Sequence, residues 1–200
     1  MRWLPLLGCL ALIGVLVWRP WLHRRRYGGT SVLFLRSGDW RQKARDAIGV
    51  GAAFLFGGQA LTYAFRKEPL ALLFAPNAAT NLSGAALQFG GIALLIASQL
   101  DLGRSWRMGI DEHAKPGLVT GGLYRYTRNP IYLGIFVTIA GYALLLPTML
   151  SLLLWIGVLI GFRQQVLLEE KYLTRTYGEE FRAYAARVGR FLPGIGRLPS

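Results

Sequence analysis

The 200-residue sequence is short of cysteine and histidine, and these shortages exclude several kinds of site. The single cysteine, Cys9, permits neither an intrachain disulfide nor a cysteine-ligated metal centre. The only histidines, His23 and His113, fall in predicted loops, so a haem held by two histidines within the membrane is excluded. Asp111, Glu112 and His113 are adjacent and could bind a cation, but a solvated loop is the default interpretation, and we predict no metal site. A Ser/His/Asp set, an HExxH motif and a phosphate-binding loop are also lacking.

Charged residues are scarce and unevenly distributed. They make up 16% of the chain, whereas a soluble domain carries about 25%. Apolar residues make up 53%, and the mean hydropathy is +0.35. Five apolar stretches lie near the ~17–25 residues that a membrane-spanning helix needs, with the first and the last two on the short side; they are 4–18, 47–65, 82–100, 131–146 and 148–162. The sequence predicts an all-α, polytopic membrane helix bundle of about five transmembrane helices, with a cytoplasmic C-terminal helical segment.

The basic residues lie almost entirely on one side of the predicted bundle. Of 23 Lys and Arg residues, 20 fall in segments 19–46, 101–130 and 163–200. This bias predicts an N-terminus outside and a C-terminus in the cytoplasm. The net charge of +13 then reflects topology and contact with the bilayer, and no nucleic-acid partner is predicted. Because the apolar stretches contain no Asp, Glu, Lys, Arg or His, a proton-coupled transporter is disfavoured.

The whole chain, residues 1–200, is predicted to be one membrane domain, with spans lacking a motif in 1–99 and the chemistry in 100–200. Pro147 should end one helix and Thr148 should cap the next, which makes a tight hairpin. The hairpin brings 101–130 and 163–200 to the same face. Small residues in the second and third stretches predict close helix packing; they are Gly49, Ala53, Gly57, Gly84, Gly90 and Gly91.

An amphipathic helical pattern follows the last apolar stretch, and Gly178 is predicted to divide it into two helices. Glu170 lies on the apolar stripe of this pattern, where a carboxylate needs a partner. Glu169 projects about 100° away around the helix. We therefore expect Glu170, more than Glu169, to reach a pocket.

Polar and aromatic residues gather in "GLVTGGLYRYTRNPIYLG", residues 117–134. Arg125 and Arg128 can clamp a carboxylate, and the tyrosines Tyr124, Tyr126 and Tyr132 can stack or hydrogen-bond. A glutamate can accept from a ribose hydroxyl or an amine. Such a set suits a small, charged, nucleoside-like ligand held against the bilayer. The alternative is that these arginines and tyrosines are interfacial anchors.

Together with the hairpin and "EEKYLTRTYGEEFRAYAARVGRFLP", this segment resembles the isoprenylcysteine carboxyl methyltransferase and phospholipid methyltransferase superfamily. The resemblance covers roughly residues 100–193. The family pattern is Arg-His-Pro-x-Tyr-x-Gly, followed after a hairpin by Glu-Glu-x-x-Leu. The first motif is matched by Arg128, Pro130, Tyr132 and Gly134, and the second by Glu169, Glu170 and Leu173.

The resemblance implies an S-adenosylmethionine-dependent methyltransferase with a lipophilic acceptor, lipid or prenylated, that enters from the bilayer. Arg128 and Glu170 would be catalytic. The implied cofactor-binding residues are Leu118, Val119, Gly122, Tyr124, Arg128, Asn129, Pro130, Tyr132, Gly134, Glu169 and Glu170. Asn129 stands where the eukaryotic pattern has a histidine. This difference weakens the inference that the substrate is a prenylcysteine. Bacterial-looking relatives share this variant, so we do not interpret Asn129 as inactivating, and we expect the protein in a bacterial inner membrane.

The acceptor stays open among a prenylated peptide, phosphatidylethanolamine, an alkylphenol and a quinone-like lipid. A carboxylate acceptor would need no general base. An amine or phenol would need a proton acceptor, for which His113 is a weak candidate. A non-enzymatic membrane scaffold that keeps the fold is the alternative function, and the sequence specifies no oligomeric state.

Overall fold

The computed structural model describes residues 1–28, 32, 40–66, 71–108 and 117–199. Within these ranges the chain forms helices and turns, two isolated β-bridges and no strand. The all-α prediction is therefore confirmed. The helices are α1 (Leu4–Tyr27), α2 (Trp40–Phe65), α3 (Ala78–Asp101), α4 (Pro130–Leu145), α5 (Met149–Tyr177) and α6 (Glu179–Arg187), with short 3-10 turns at Gly103–Ser105 and Gly122–Arg125.

Four helices of the described chain, α1, α2, α3 and α5, are long and apolar enough to cross a membrane. The fifth apolar helix, α4, has 16 residues and spans about 24 Å, less than the ~30 Å hydrocarbon core. Large apolar side chains such as Phe54, Leu61, Leu153 and Ile160 are exposed on the outer faces. The chain is therefore an integral membrane protein with the five apolar helices that the sequence predicts.

Two helices run further than the apolar stretches indicate. Helix α1 continues through Pro20 to Tyr27, and α5 joins the last apolar stretch to the amphipathic segment without a break. As a result Arg19 and His23, predicted to lie in a loop, are helical and buried. Gly178, with φ +54, ends α5 and separates it from α6, as predicted.

The α4–α5 hairpin forms as predicted. Helix α4 ends at Leu145, and the Thr148 side chain caps α5 by accepting a hydrogen bond from the Ser151 amide at 3.0 Å. Because the turn is this short, the start of α4 and the end of α5 return to the same end of the bundle. This places the two sequence motifs side by side.

Glycines bring α3 and α4 into backbone contact. A Cβ added at Gly91 would lie 2.7 Å from the Gly134 carbonyl oxygen, and one added at Gly141 would lie 2.5 Å from the Gly84 carbonyl oxygen. Only glycine permits this approach, so the packing predicted for Gly84 and Gly91 is confirmed. It fixes α4 rigidly against α3, the support on which the site is built.

The packing predicted for the small residues of α2 is wrong within this chain. A Cβ at Gly49 or Gly57 would meet nothing within 4 Å, and the same holds for Gly90 on α3. Helix α2 instead packs through the face that carries Phe56 and Ala60, against α1, α4 and α5. Small residues at four-residue spacing therefore did not identify the packed face.

Beyond α5 the chain folds back over the start of α4. The side chains of Phe181, Tyr184 and Ala185 on α6 form a small core, against which Leu118 packs. The segment after α6 then passes along residue 127, where Thr127 and Gly189 form a β-bridge. These contacts close one end of the bundle around the motif residues.

Candidate cofactor site

The glycine-rich segment that starts at Gly117 is anchored on α5 and α6. The Gly117 amide donates to the Tyr177 hydroxyl at 3.2 Å, and Leu118 packs against the α6 core. Further along, the Tyr184 hydroxyl donates to the Tyr124 carbonyl oxygen at 2.6 Å. Val119 lies between these anchors and is half-buried. The segment is thus held at its two ends.

Gly122 sits at a close approach between this segment and α3. Its φ is +58, and a Cβ there would lie 2.3 Å from Oδ2 of Asp101. The same Oδ2 accepts from the Leu123 amide at 2.7 Å. Both the conformation and the space require glycine. Asp101 therefore fixes the position of the Gly122–Arg125 turn.

Arg128 and Glu170 form the centre of a buried ion network. Nη2 of Arg128 lies 2.8 Å from Oε1 of Glu170, and Nη2 of Arg190 lies 2.8 Å from Oε2. Nε of Arg128 and Nε of Arg190 also donate to this carboxylate. The partner that the sequence demands for Glu170 is therefore present, and it is a pair of arginines from both sides of the hairpin.

The remaining N–H groups of Arg128 bind backbone carbonyls of the C-terminal region. Nη1 donates to Ala185 at 2.9 Å and to Val188, and Nη2 donates to Gly196 at 3.0 Å. With the two bonds to Glu170, all five N–H groups of this guanidinium are used. Arg128 and Glu170 therefore hold α4, α5 and the C-terminal segment together, and the catalytic and cofactor-binding roles expected of them stay predictions.

Glu169, in contrast, faces Tyr132 and keeps part of its surface accessible. The Tyr132 hydroxyl donates to Oε1 of Glu169 at 2.5 Å, and Nε2 of Gln165 donates to the same oxygen at 3.1 Å. Both side chains of the Tyr132–Glu169 pair are half-buried. Both of these donors are on Oε1, so among the described residues Oε2 is the oxygen left to accept from a ligand. Glu169 is thus more accessible than the buried Glu170, and which of the two reaches a pocket stays a prediction.

Tyr124 lies beside this pair and is buried. Burial raises the pKa of its phenol well above the usual value, and the nearby Tyr184, Glu169 and Asp101 raise it further. The phenol is therefore neutral at physiological pH. It can act as a hydrogen-bond donor close to Glu169, and not as a base.

Three further motif residues serve the fold at this end. Nδ2 of Asn129 donates to the Arg190 carbonyl oxygen at 3.1 Å. Pro130 is buried at the first turn of α4. A Cβ on Gly134 would lie 2.8 Å from the Leu95 amide, so this residue belongs to the α3–α4 contact.

Arg125 and Tyr126 pair with each other at the surface. The guanidinium of Arg125 lies 4.6 Å from the centre of the Tyr126 ring, and both residues are exposed. This arrangement fits the interfacial-anchor alternative for these two. Residues 111–113 lie outside the described residues. In the ranges that the structure does describe, no group of three or more acidic, histidine or cysteine side chains could hold a metal ion.

Sequence reasoning missed Asp101, Gln165 and Arg190. Each is one polar residue among many and belongs to neither motif. Arg190 lies in the family-like segment after the hairpin but outside its Glu-Glu-x-x-Leu motif, and the only signal for Asp101 was its position at the end of an apolar stretch. Their roles arise from tertiary contacts, which no spacing in the sequence records.

Comparison with known proteins places the site residues in a matched region. Residues 79–180 match the phospholipid methyltransferase family model. A protein-S-isoprenylcysteine O-methyltransferase of Schizosaccharomyces pombe is 38% identical over 79 residues, which make up 39% of this chain and 34% of that protein. The enzyme of the same name from Saccharomyces cerevisiae is 40% identical over 79 residues, 39% of this chain and 33% of its own length. The match thus spans about a third of these relatives.

A solved structure of the eukaryotic intramembrane Ras methyltransferase ICMT has a related fold. Its TM-score is 0.60 at 17% identity, and the match covers 90% of this chain and 62% of the other. The fold is therefore shared well beyond the motif region. Since the family model covers more than half of the sequence and includes Arg128, Tyr132, Glu169 and Glu170, the chain belongs to the phospholipid methyltransferase family.

Proposed function

We propose that the protein is an S-adenosylmethionine-dependent methyltransferase for a lipophilic acceptor held in the membrane. The observation that carries the proposal is the hydrogen-bonded pair of Tyr132 and Glu169, 2.5 Å apart, supported by the buried Arg128–Glu170–Arg190 network. Two motifs separated by the hairpin thereby form one site. The family relatives named as O-methyltransferases support the same reaction class.

The residues present fit S-adenosylmethionine. The cofactor carries an ammonium and ribose hydroxyls, all hydrogen-bond donors, and Oε2 of Glu169 is available to accept from them. Gly117 and Gly121 border open space, so the backbone between them can approach a ligand closely. When bound, the cofactor supplies a methyl group on a sulfonium. The protein's part is to orient the two reactants and to exclude water.

Arg128 and Glu170 act in this proposal as positioning residues. Their network fixes the start of α4, which carries Tyr132, against the end of α5, which carries Glu169. Because the network is buried and its arginine is fully bonded, the relative position of Tyr132 and Glu169 is set before any ligand arrives. Preorganisation of this kind lowers the barrier for transfer between bound reactants.

An apolar wall beside the pair suits an acceptor with a long hydrocarbon chain. The ring of Tyr132 lies 5.2 Å from that of Phe162, Phe162 lies 6.5 Å from Phe136, and Phe136 lies 5.3 Å from Phe191. The row of four rings runs from α4 and α5 to the C-terminal segment. A prenylated cysteine carboxylate, the acceptor class in the relatives' names, is the first candidate and needs no general base.

We propose that the site faces the cytoplasm of a bacterial cell, with the N-terminus outside. The support is the sequence: 20 of the 23 basic residues fall in segments 19–46, 101–130 and 163–200, and the last two of these segments carry the motif residues. Soluble S-adenosylmethionine would then enter from the cytosol. The acceptor would enter sideways from the bilayer.

The test is methyl transfer from radiolabelled S-adenosylmethionine by the purified protein in lipid vesicles. Separate reactions contain a farnesylated cysteine, phosphatidylethanolamine and an alkylphenol. We expect label in one lipid product with wild type and a large loss with Tyr132→Phe and Glu169→Gln. Glu179→Gln, at an exposed carboxylate on α6, is the matched control and should keep activity. Absence of both S-adenosylmethionine binding and methyl transfer in folded wild type would favour the alternative, a non-enzymatic membrane scaffold that keeps the fold without the cofactor.

A further inference from the structure

Arg19 is a fully buried cation in α1, outside the region that matches the family model. Its Nη2 donates to the carbonyl oxygens of Gln99 at 2.9 Å and Gly103 at 2.8 Å. Its guanidinium lies 4.8 Å from the centre of the Trp106 ring. The last carbonyls of a helix lack partners and carry partial negative charge, so Arg19 caps the C-terminal end of α3.

The same end of α3 holds the glycine-rich segment. Asp101 accepts from the Leu123 amide at 2.7 Å and lies against Gly122. The turn that follows carries Tyr124, whose carbonyl is bound by α6. Arg19 therefore binds carbonyl oxygens at the C-terminal end of α3, and Asp101 at the same end binds the turn beside the proposed cofactor site.

Burying an arginine within an apolar helix is costly, which makes such a residue a candidate for function. Nε of Arg19 has no hydrogen-bond partner among the described residues, which adds to the cost of burying this side chain. The cost is offset in part by the two carbonyls and by the Trp106 ring. In return, the Arg19 side chain holds the C-terminal end of α3 in one position.

We propose that Arg19 is a positioning residue for the cofactor segment: by capping α3 it fixes Asp101, and Asp101 fixes the Gly122–Arg125 turn. The inference rests on the proposed function where it concerns S-adenosylmethionine, although the coupling itself is a property of the fold. It assigns to α1, which carries no family motif, a part in cofactor binding.

The first measurement is hydrogen exchange of the amides of residues 122–125 in detergent, which needs no ligand. We expect Asp101→Ala and Arg19→Met each to speed exchange there by about tenfold, the range of ordinary coupling energies. Arg19→Lys should restore part of the protection, because an ammonium can still donate to one of the carbonyls. Combining Arg19→Met with Asp101→Ala should add little to the larger single effect, since both act along one route.

The second measurement is the dissociation constant of S-adenosylmethionine, which we expect to rise about tenfold in Arg19→Met while the KM of the acceptor stays unchanged. Gln59→Leu is the matched control for loss of stability. Gln59 forms hydrogen bonds with Thr148 and Ser151 at the α4–α5 turn, whereas the motif residues lie at the other end of these two helices. This variant should therefore lower Tm without changing the exchange rates at 122–125.

Normal exchange at 122–125 in folded Arg19→Met, or strictly additive effects in the double variant, would overturn the proposal. If Arg19→Met does not fold, Arg19→Lys and Asp101→Asn carry the same comparison. Failure of the wild type to bind S-adenosylmethionine would reject the proposed function, while the exchange data would still decide whether Arg19 positions the segment.

Discussion

At the residue scale, the two adjacent glutamates of α5 have different tasks. Glu170 is buried and shares its carboxylate between Arg128 and Arg190, whereas Glu169 is half-buried and bonds Tyr132. One step along a helix turns a side chain by about 100°, which is enough to separate an interior ion network from a ligand-facing group. The pair of identical residues thus gives one scaffold group and one candidate binding group.

Removing Arg128 should destabilise the protein strongly. Arg128→Ala leaves the buried Glu170 with only Arg190 and leaves three backbone carbonyls without their donor. Loss of one partner of a buried ion pair costs about 3–5 kcal/mol in the free energy of unfolding. Thermal unfolding in detergent, followed by intrinsic fluorescence, measures the effect.

Arg182→Ala is the control for this variant. Arg182 pairs with Glu179 on the surface of α6, with side chains 56% and 84% exposed. An exposed pair is worth about 0–1 kcal/mol, so Tm should hardly change. Equal losses in the two variants would show that the Arg128 network is not a structural support.

At the scale of elements, the α3–α4 contact decides where the site is built. Gly84 and Gly91 on α3 meet Gly134 and Gly141 on α4, and the helices touch backbone to backbone. Association between membrane helices depends on this kind of close packing, because lipid tails are as apolar as the helix surfaces and the hydrophobic effect does not drive the helices together. The start of α4, with Tyr132, therefore takes its position from α3.

A methyl group added at this contact should lower the free energy of unfolding. Gly134→Ala places a Cβ 2.8 Å from the Leu95 amide, and overpacking of this kind costs about 1–3 kcal/mol in the free energy of unfolding. Gly157→Ala on α5, where a Cβ meets nothing within 4 Å, is the matched control. It should be neutral or stabilise by up to ~1 kcal/mol through helix propensity. Parallel thermal melts separate the two, and equal Tm values would argue against the close contact.

The sequence predicted the elements better than the contacts between them. Pro147 and Thr148 indicated the hairpin because turn and cap preferences are local. The face of α2 that packs was not predictable, since Gly49 and Gly57 carry the same signal whether a helix or a lipid lies opposite. Arg190 reaches Glu170 only because the segment after α6 folds back, and that return depends on contacts formed by the whole fold.

At the scale of the whole molecule, charge and apolar length together define a membrane protein with one polar end. The apolar faces of α1, α2 and α5 are exposed, as lipid contact requires. The motifs, the ion network and the glycine-rich segment all lie at the end where most basic residues gather. A soluble cofactor and a membrane-held acceptor can therefore meet at a single boundary.

The proposed orientation can be measured with a membrane-impermeant thiol reagent. In a Cys9→Ser background, Ala79→Cys at the start of α3 and Glu180→Cys on α6 both place a cysteine at an exposed position. We expect the reagent to label the cysteine at position 79 in intact cells. The cysteine at position 180 should be labelled only after the cells are permeabilised. The reverse pattern would contradict the positive-inside assignment.

The most direct test of the central claim is calorimetric binding of S-adenosylmethionine to the purified protein. We predict saturable binding by wild type and a loss of about tenfold to a hundredfold in Glu169→Gln, because a hydrogen bond to a charged group contributes about 1.5–3 kcal/mol. Glu179→Gln, at an exposed carboxylate outside the site, should bind as wild type does. Absence of binding by folded wild type, or an equal effect of the two substitutions, would contradict the account.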